Sequence, residues 1–199
     1  MIAIVKYNAG NIFSLQCALR RLGYEGVVTD DEKVLRKADR VIFPGVGEAS
    51  SSMAYLKQRE LGKVLTSLTR PFLGICLGLQ LMGNYSEENN TPCLGIFNSN
   101  IRLFKEKEVK IIPHMGWNNL ILTKESHLFK GLENKENYVY FVHSYYMEVN
   151  TSTVACCKYE NLTFSAALEK DNFYGLQFHP EKSGKTGEKI LQNFLSEEL

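Results

Sequence analysis

The chain has 199 residues, with 23 Lys and Arg against 22 Asp and Glu, a formal net charge of +1, and 44% hydrophobic and 23% charged residues. These proportions describe an ordinary globular protein and exclude a disordered or fibrous chain. Binding driven by a polyanion needs clustered Lys and Arg, so the balanced charge predicts no nucleic-acid partner. The start, Met1-Ile2-Ala3-Ile4-Val5-Lys6, lacks the basic region and long apolar stretch of a signal peptide. No apolar run approaches the ~20 residues that span a bilayer, so no membrane association is expected. The five cysteines form no C-x-x-C pair and are read as reduced thiols of a cytoplasmic protein. Cys17, Cys93, Cys156 and Cys157 are read as packing residues, and the histidines and cysteines show no ligand spacing, so no metal and no organic cofactor is expected.

The first half alternates short apolar runs with helical patterns. Ile2 to Val5 reads as a strand, and Asn11 then caps a helix from Ile12 to Leu22 that Gly23 stops. The pattern repeats with a strand at Gly26 to Thr29 and a short helix at Glu32 to Lys37. It repeats again with Arg40 to Phe43, the turn Pro44-Gly45-Val46-Gly47 and helical sequence through Thr69. A further strand, Pro71 to Ile75, feeds a helix from Leu77 to Tyr85. After about Asn89, strands are expected at Ile101 to Phe104, Val109 to Ile112, Asn119 to Leu122, Tyr138 to Val142, Val154 to Tyr159 and Phe164 to Glu169. The chain returns through Tyr174 to Phe178 to a last helix, Thr186 to Leu195. Buried strands alternating with helices predict an α/β fold, a mostly parallel sheet flanked by helices with antiparallel strands added in the second half. No linker divides the chain, so residues 1–199 are read as one domain.

Ligands of an open α/β sheet bind at the carboxyl ends of its strands. Gly74-Ile75-Cys76-Leu77-Gly78-Leu79-Gln80 places a G-x-C-x-G between strand and helix, the setting of a nucleophile elbow, with Cys76 at a helix start that favours thiolate. Alone this string fits a buried structural cysteine equally well. Phe178-His179-Pro180-Glu181 at another strand end supplies a general base and a carboxylate to orient it, so the two strings together read as a Cys-His-Glu triad. Pro44-Gly45-Val46-Gly47 offers backbone near a developing oxyanion, with the Leu77 amide as a second donor, although a plain turn fits the string as well. His114 and His143, each beside an apolar strand, are read as satisfied, partly buried histidines, and His127 as a polar turn.

With these strings in this order, the chain resembles the class I, triad-type glutamine amidotransferases. Pro113-His114-Met115-Gly116-Trp117-Asn118, Tyr140-Phe141-Val142-His143-Ser144-Tyr145 and Asn8-Ala9-Gly10-Asn11 narrow the resemblance to the glutaminase subunits of imidazole glycerol phosphate synthase, over essentially the whole chain. The resemblance implies a flavodoxin-like fold and hydrolysis of glutamine through a γ-glutamyl thioester. It also implies a heterodimer that delivers ammonia to a (β/α)8-barrel cyclase subunit in histidine biosynthesis. Cys76 would be the nucleophile, His179 the base and then acid, and Glu181 the orienting carboxylate. Gly45, Val46 and Leu77 would form the oxyanion hole, which in the family needs rearrangement for full activity. Gly47, Gln80, Ser144 and Tyr145 would hold glutamine, and Asn8, Gly10, Asn11, Trp117, Tyr138 and Lys182 would face the partner. Trp117 fits a partly buried core position equally well, and Asn11 a simple helix cap.

Two residues depart from the family pattern, Lys6 where an acid is common and Glu48 where a small residue is common. They predict an ion pair between neighbouring strand ends. A glutaminase serving a sugar-modifying amidotransferase would carry much the same strings. Another Cys-dependent α/β hydrolase would lack the glutamine-holding strings, and a non-catalytic relative would have lost a triad residue.

Overall fold

A computed structural model describes residues 1–7, 11–132 and 136–196. The strands β1 (Ile2–Val5), β2 (Gly26–Thr29), β3 (Arg40–Phe43) and β4 (Phe72–Ile75) alternate with helices α1 (Ile12–Arg21), α2 (Glu32–Lys37), α3 (Ala49–Gln58), α4 (Leu61–Thr66) and α5 (Leu77–Leu81). There follow β5 (Tyr85–Ser86), β6 (Thr91–Pro92), β7 (Asn100–Leu103), β8 (His114–Asn119), β9 (Ile121–Leu122), β10 (Tyr138–His143) and β11 (Tyr145–Met147). The chain continues through β12 (Thr153–Tyr159), β13 (Leu162–Lys170) and β14 (Phe173–Leu176) to α6 (Gly184–Leu195).

The main sheet has the order β2-β1-β3-β4-β14-β13-β12-β9. Strands β2, β1, β3, β4 and β14 run parallel, and β13, β12 and β9 continue the sheet antiparallel. Side chains alternate across a strand, so a sheet covered on both faces needs apolar residues at every position. Strand β1 shows this directly. Ile2 and Ile4 join the core on one face, with Leu19 and Phe194, while Ala3 and Val5 join the core on the other, with Leu56 and Phe72. A second sheet, β11-β7-β5-β6, and a two-stranded ribbon, β8 with β10, stand apart from the main one.

The register of the parallel half determines where side chains meet. Ile75 pairs with Leu176, and Phe43 with Gly74. The ends of β3, β4 and β14 therefore converge, which brings Pro44-Gly45, Cys76 and Gln177 to one edge. Glycine is required where the elbow meets β3, because a Cβ on Gly78 would lie 1.8 Å from the Phe43 carbonyl oxygen.

Several elements differ from the sequence expectation. Val109 to Ile112 is not a strand. Its backbone bonds go elsewhere: the Val109 amide to the Lys105 carbonyl, the Lys110 amide to the Glu160 carboxylate, and the Ile111 carbonyl to the Tyr159 hydroxyl. Pro113, without an N–H, ends the segment before β8. The helix after Cys76 stops at Leu81 and not Tyr85, because the Met82 and Gly83 amides close tight turns onto Leu79 and Gln80. Strands β5, β6 and β11 are too short to leave a periodic pattern, and α6 begins two residues before Thr186. The expected ion pair between Lys6 and Glu48 does not form, because the Glu48 carboxylate caps α3, accepting the Ser50 and Ser51 amides and the Asn89 side chain.

Candidate active site

Cys76 occupies the turn between β4 and α5 with φ 52° and ψ −109°, a conformation L residues rarely adopt. Its amide bonds the Leu176 carbonyl at 2.7 Å and its carbonyl accepts the Gln80 amide at 3.0 Å, so both neighbouring elements hold the turn. The sulfur is nearly buried and faces the Val142 carbonyl at 3.9 Å and Gln177 Nε2 at 3.8 Å.

His179 follows β14 and is tied to the ribbon as well. Its amide donates to the Tyr140 carbonyl at 2.9 Å, and the Ser183 hydroxyl donates to its carbonyl at 2.6 Å while accepting from the Tyr140 amide. Nδ1 of His179 meets Glu181 Oε1 at 2.8 Å, with both side chains almost fully buried. The same carboxylate oxygen accepts from Asn11 Nδ2 at 3.0 Å. Burial pushes the imidazole pKa down, and the nearby Cys76 sulfur together with the Glu181 hydrogen bond and charge outweigh this, raising it to about 10. Nε2 of His179, left without a hydrogen-bond partner among the described residues, is free for a proton in transit. The sequence-predicted triad is thus brought together, with a carboxylate-imidazole pair and a thiol at adjoining strand ends.

A cavity of about 290 Å³ opens on Cys76 and is lined by Val46, Gly47, Leu77, Gln80, Ser144 and Tyr145. All of the residues predicted to hold glutamine border it. Glu88 and His143 line it too. Glu88 accepts the Ala49 amide at 2.8 Å, and burial raises its pKa. Gln80 is anchored through its Nε2 on the Tyr145 carbonyl at 2.8 Å and on Gln177 Oε1 at 3.2 Å, which leaves its Oε1 as the remaining polar atom of the side chain. In the oxyanion region, the Leu77 amide donates to the Gly45 carbonyl at 3.3 Å, so two of the predicted oxyanion elements are bonded to each other. Pro44 accepts from the buried Tyr7 hydroxyl, whose pKa burial raises strongly.

The predicted partner residues fall into three groups. Asn8 and Gly10 lie outside the described residues. Trp117 and Tyr138 are exposed, at 56% and 45%, which settles Trp117 as a surface residue and not core, and Lys182 is exposed with its ammonium over the Tyr140 ring. Asn11 stands at the start of α1 but makes no cap, its side chain being spent on Glu181. His114 and His143 are more buried than expected, at 3% and 5%, and bond each other at 3.1 Å.

The sequence family described as "Glutamine amidotransferase class-I" matches residues 4–197. The chain belongs to the class I glutamine amidotransferases. It is 54% identical over 195 residues to "Imidazole glycerol phosphate synthase subunit HisH" of Bacteroides fragilis, covering 98% of each chain. It is 53% identical, with the same coverage, to the protein of that name in Bacteroides thetaiotaomicron. Among solved structures, a putative GMP synthase subunit from Thermoplasma acidophilum superposes with a TM-score of 0.74 at 21% identity, covering 98% of this chain and 92% of that one. A second solved structure, of a glutamine amidotransferase, gives 0.73 at 16%, with 98% and 96% covered. These two establish the amidotransferase fold, α/β with its mostly parallel sheet and added antiparallel strands.

Three neighbours of the site in this amidotransferase escaped the sequence reading. Gln177 stands two residues before His179, and its signal was a polar residue inside an otherwise apolar strand end. Glu88 lies in a polar stretch with no periodicity, and only the fold brings it to the cavity. The contact from Asn11 to Glu181 spans 170 positions and has no local signature. Among the described residues no cluster of His, Cys, Asp or Glu could hold a metal ion, and no helix is long and apolar enough to cross a membrane.

Proposed function

We propose that this chain is the cytoplasmic glutaminase subunit of imidazole glycerol phosphate synthase, acting as one domain in a heterodimer with a (β/α)8-barrel cyclase subunit. The observation that carries the chemistry is the thiol beside a buried imidazole-carboxylate pair at the mouth of a cavity lined by Gln80, Glu88, Ser144 and Tyr145. Glutamine enters with its α-ammonium toward the Glu88 carboxylate and the Gln80 carbonyl oxygen, and its carboxamide toward Cys76. With the proton on His179 Nε2, the Cys76 sulfur adds as thiolate to the carboxamide carbon to give a tetrahedral oxyanion. His179 then protonates the departing nitrogen, ammonia leaves, and a γ-glutamyl thioester remains. Water, losing a proton to the same nitrogen, attacks the thioester carbon and releases glutamate and the thiol. Glu181 holds the imidazole through Nδ1 and stabilises its cation.

The oxyanion needs donors, and in this geometry the Leu77 amide is held by the Gly45 carbonyl. Rotation of the Gly45–Val46 peptide frees that amide and turns the Val46 N–H toward the site. A partner that favours the rotated state therefore activates the enzyme. Such control suits the chemistry, because ammonia released into water at neutral pH is protonated and lost as a nucleophile.

The test is glutamate release from glutamine by the chain alone and with the barrel cyclase, with and without the cyclase's nucleotide substrate. Stimulation by the cyclase that vanishes in Cys76→Ala, with ammonia-dependent synthesis intact, is the expected result. Activity indifferent to the cyclase would direct the search to another ammonia acceptor.

A further inference from the structure

Gln177 is fully buried and immediately follows β14, whose register sets it beside the elbow. Its Nε2 donates to the Cys76 sulfur at 3.8 Å, while its Oε1 accepts from Gln80 Nε2 at 3.2 Å. The other Gln80 amide hydrogen goes to the Tyr145 carbonyl at 2.8 Å. That carbonyl also accepts from His143 Nδ1 at 2.8 Å. Behind it stand His114 Nδ1, 3.1 Å from His143 Nε2, and Asn118 Nδ2, 3.3 Å from His114 Nε2 and 3.0 Å from the Lys158 carbonyl.

A carbonyl only accepts, so His143 carries its hydrogen on Nδ1. With both imidazoles neutral, this fixes every other hydrogen in the series. His143 Nε2 accepts from His114 Nδ1, and His114 Nε2 accepts from Asn118. Burial supports the neutral state, lowering the pKa of His114 to about 4 and of His143 to about 3. These donors end on the Tyr145 carbonyl, which accepts from His143 on one side and from Gln80 on the other. The Gln80 amide must then present nitrogen to Tyr145 and to Gln177 Oε1, so Gln177 is left with only its N–H groups to turn toward the sulfur.

We propose that Gln177 is a further catalytic residue of the glutaminase reaction, donating to the Cys76 sulfur in an orientation fixed by Gln80, whose amide nitrogen is held by the Tyr145 carbonyl. The proposal rests on the glutaminase reading above. When the sulfur is protonated, its S–H is directed at the Val142 carbonyl, 3.9 Å away. Once the proton moves to His179, that carbonyl no longer attracts the sulfur, whereas the Gln177 N–H bond becomes charge-assisted and strengthens. The amide therefore raises the thiolate population and favours sulfur as the leaving group when the thioester is hydrolysed. Nucleophilicity falls less steeply than thiolate fraction rises, so the balance at neutral pH is a gain.

The test uses the complex with the barrel subunit, and alkylation of Cys76 by iodoacetamide followed across pH by mass spectrometry of its peptide. Gln177→Leu removes the donor and Gln177→Glu replaces it with an acceptor. Each is expected to move the pH–rate profile of alkylation to higher pH, slowing it about 10-fold at pH 7, and to lower kcat for glutamine by about 10-fold or more with KM little changed. A folded Gln177→Leu whose alkylation profile and kcat match the unaltered chain overturns the proposal. Where Gln177→Leu fails to fold, an unchanged profile in Gln177→Glu overturns it. Alkylation needs no glutamine, so failure of the glutaminase reading shows separately, as an unaltered complex that releases no glutamate.

Discussion

Asn11 adopts a left-handed backbone conformation, φ 68°, which asparagine tolerates better than most residues, and it turns its amide to the Glu181 carboxylate rather than to its own helix. A hydrogen bond to a buried carboxylate contributes about 1.5–3 kcal/mol. Asn11→Gly keeps the backbone free of strain and removes the amide, so it is expected to fold normally and lose about 10-fold or more in kcat, measured as glutamate release at saturating glutamine. An unchanged kcat would reduce Asn11 to a turn residue. The buried histidines give a different expectation, in stability. His114 and His143 have folded pKa values of about 4 and about 3, below the unfolded value near 6.5, so between these limits the unfolded chain binds protons that the folded one does not. Stability therefore falls as pH drops through 6.5 toward 4. His179 has the opposite sign: raised to about 10, it contributes stability fully below pH 6.5, and that contribution is lost as pH rises toward 10. Urea midpoints from pH 4 to 10 should give a dome, whose acid limb is shallower in His114→Phe and whose alkaline limb is shallower in His179→Gln. Limbs unaltered by these changes would assign the pH dependence to other groups.

The elements that build the site are held by close backbone approach, and this shows most clearly where α5 meets β3. A Cβ on Gly78 would meet the Phe43 carbonyl at 1.8 Å, and one on Gly187 would meet the Pro180 carbonyl at 2.0 Å. Backbone cannot yield as a flexible side chain can. Gly78→Ala is expected to lower unfolding free energy by roughly 3 kcal/mol and to abolish glutamate release, since any shift of α5 carries Cys76 with it. A variant of unaltered stability, measured by urea unfolding, would contradict this packing. The G-x-C-x-G string announced this junction because its glycines sit at fixed positions along one strand and turn. The parallel half was legible for a similar reason: its strands are short runs dominated by apolar residues, and they alternate with helical segments. Strands such as β5, β6 and β11 lie below the length at which periodicity exists. The Glu48 cap shows another limit. A carboxylate near a strand end suggests an ionic partner, but the free amides opening α3 were nearer than Lys6. Within the site, the triad and Gln80 lay in compact strings, whereas Glu88, Gln177 and the His114–His143 pair become neighbours of it only through the fold.

At the scale of the whole molecule, the β8–β10 ribbon joins surface to site. His114 and His143 occupy its inner face with Val139 and Phe141, all buried, while Met115, Trp117 and Tyr138 stand exposed on the outer face. The same ribbon holds the His179 backbone through the Tyr140 carbonyl, and Trp117 meets the Tyr140 ring edge-on. Exposed large apolar side chains gathered beside an active-site mouth suit a protein partner. Docking of the barrel subunit there would help close the site from water. A central Trp in such a contact typically contributes about 2 kcal/mol or more. Trp117→Ala is therefore expected to weaken the complex by about 10-fold or more, read as Kd by calorimetry. The loss of glutamine-dependent synthesis should be recovered at high concentrations of the barrel subunit, and ammonia-dependent synthesis should be unaffected throughout. A Kd equal to that of the unaltered chain would remove the ribbon's outer face from the interface. Weakened binding with synthesis that saturating partner fails to restore would instead assign Trp117 to the activation of the site, through the Tyr140 segment that carries His179.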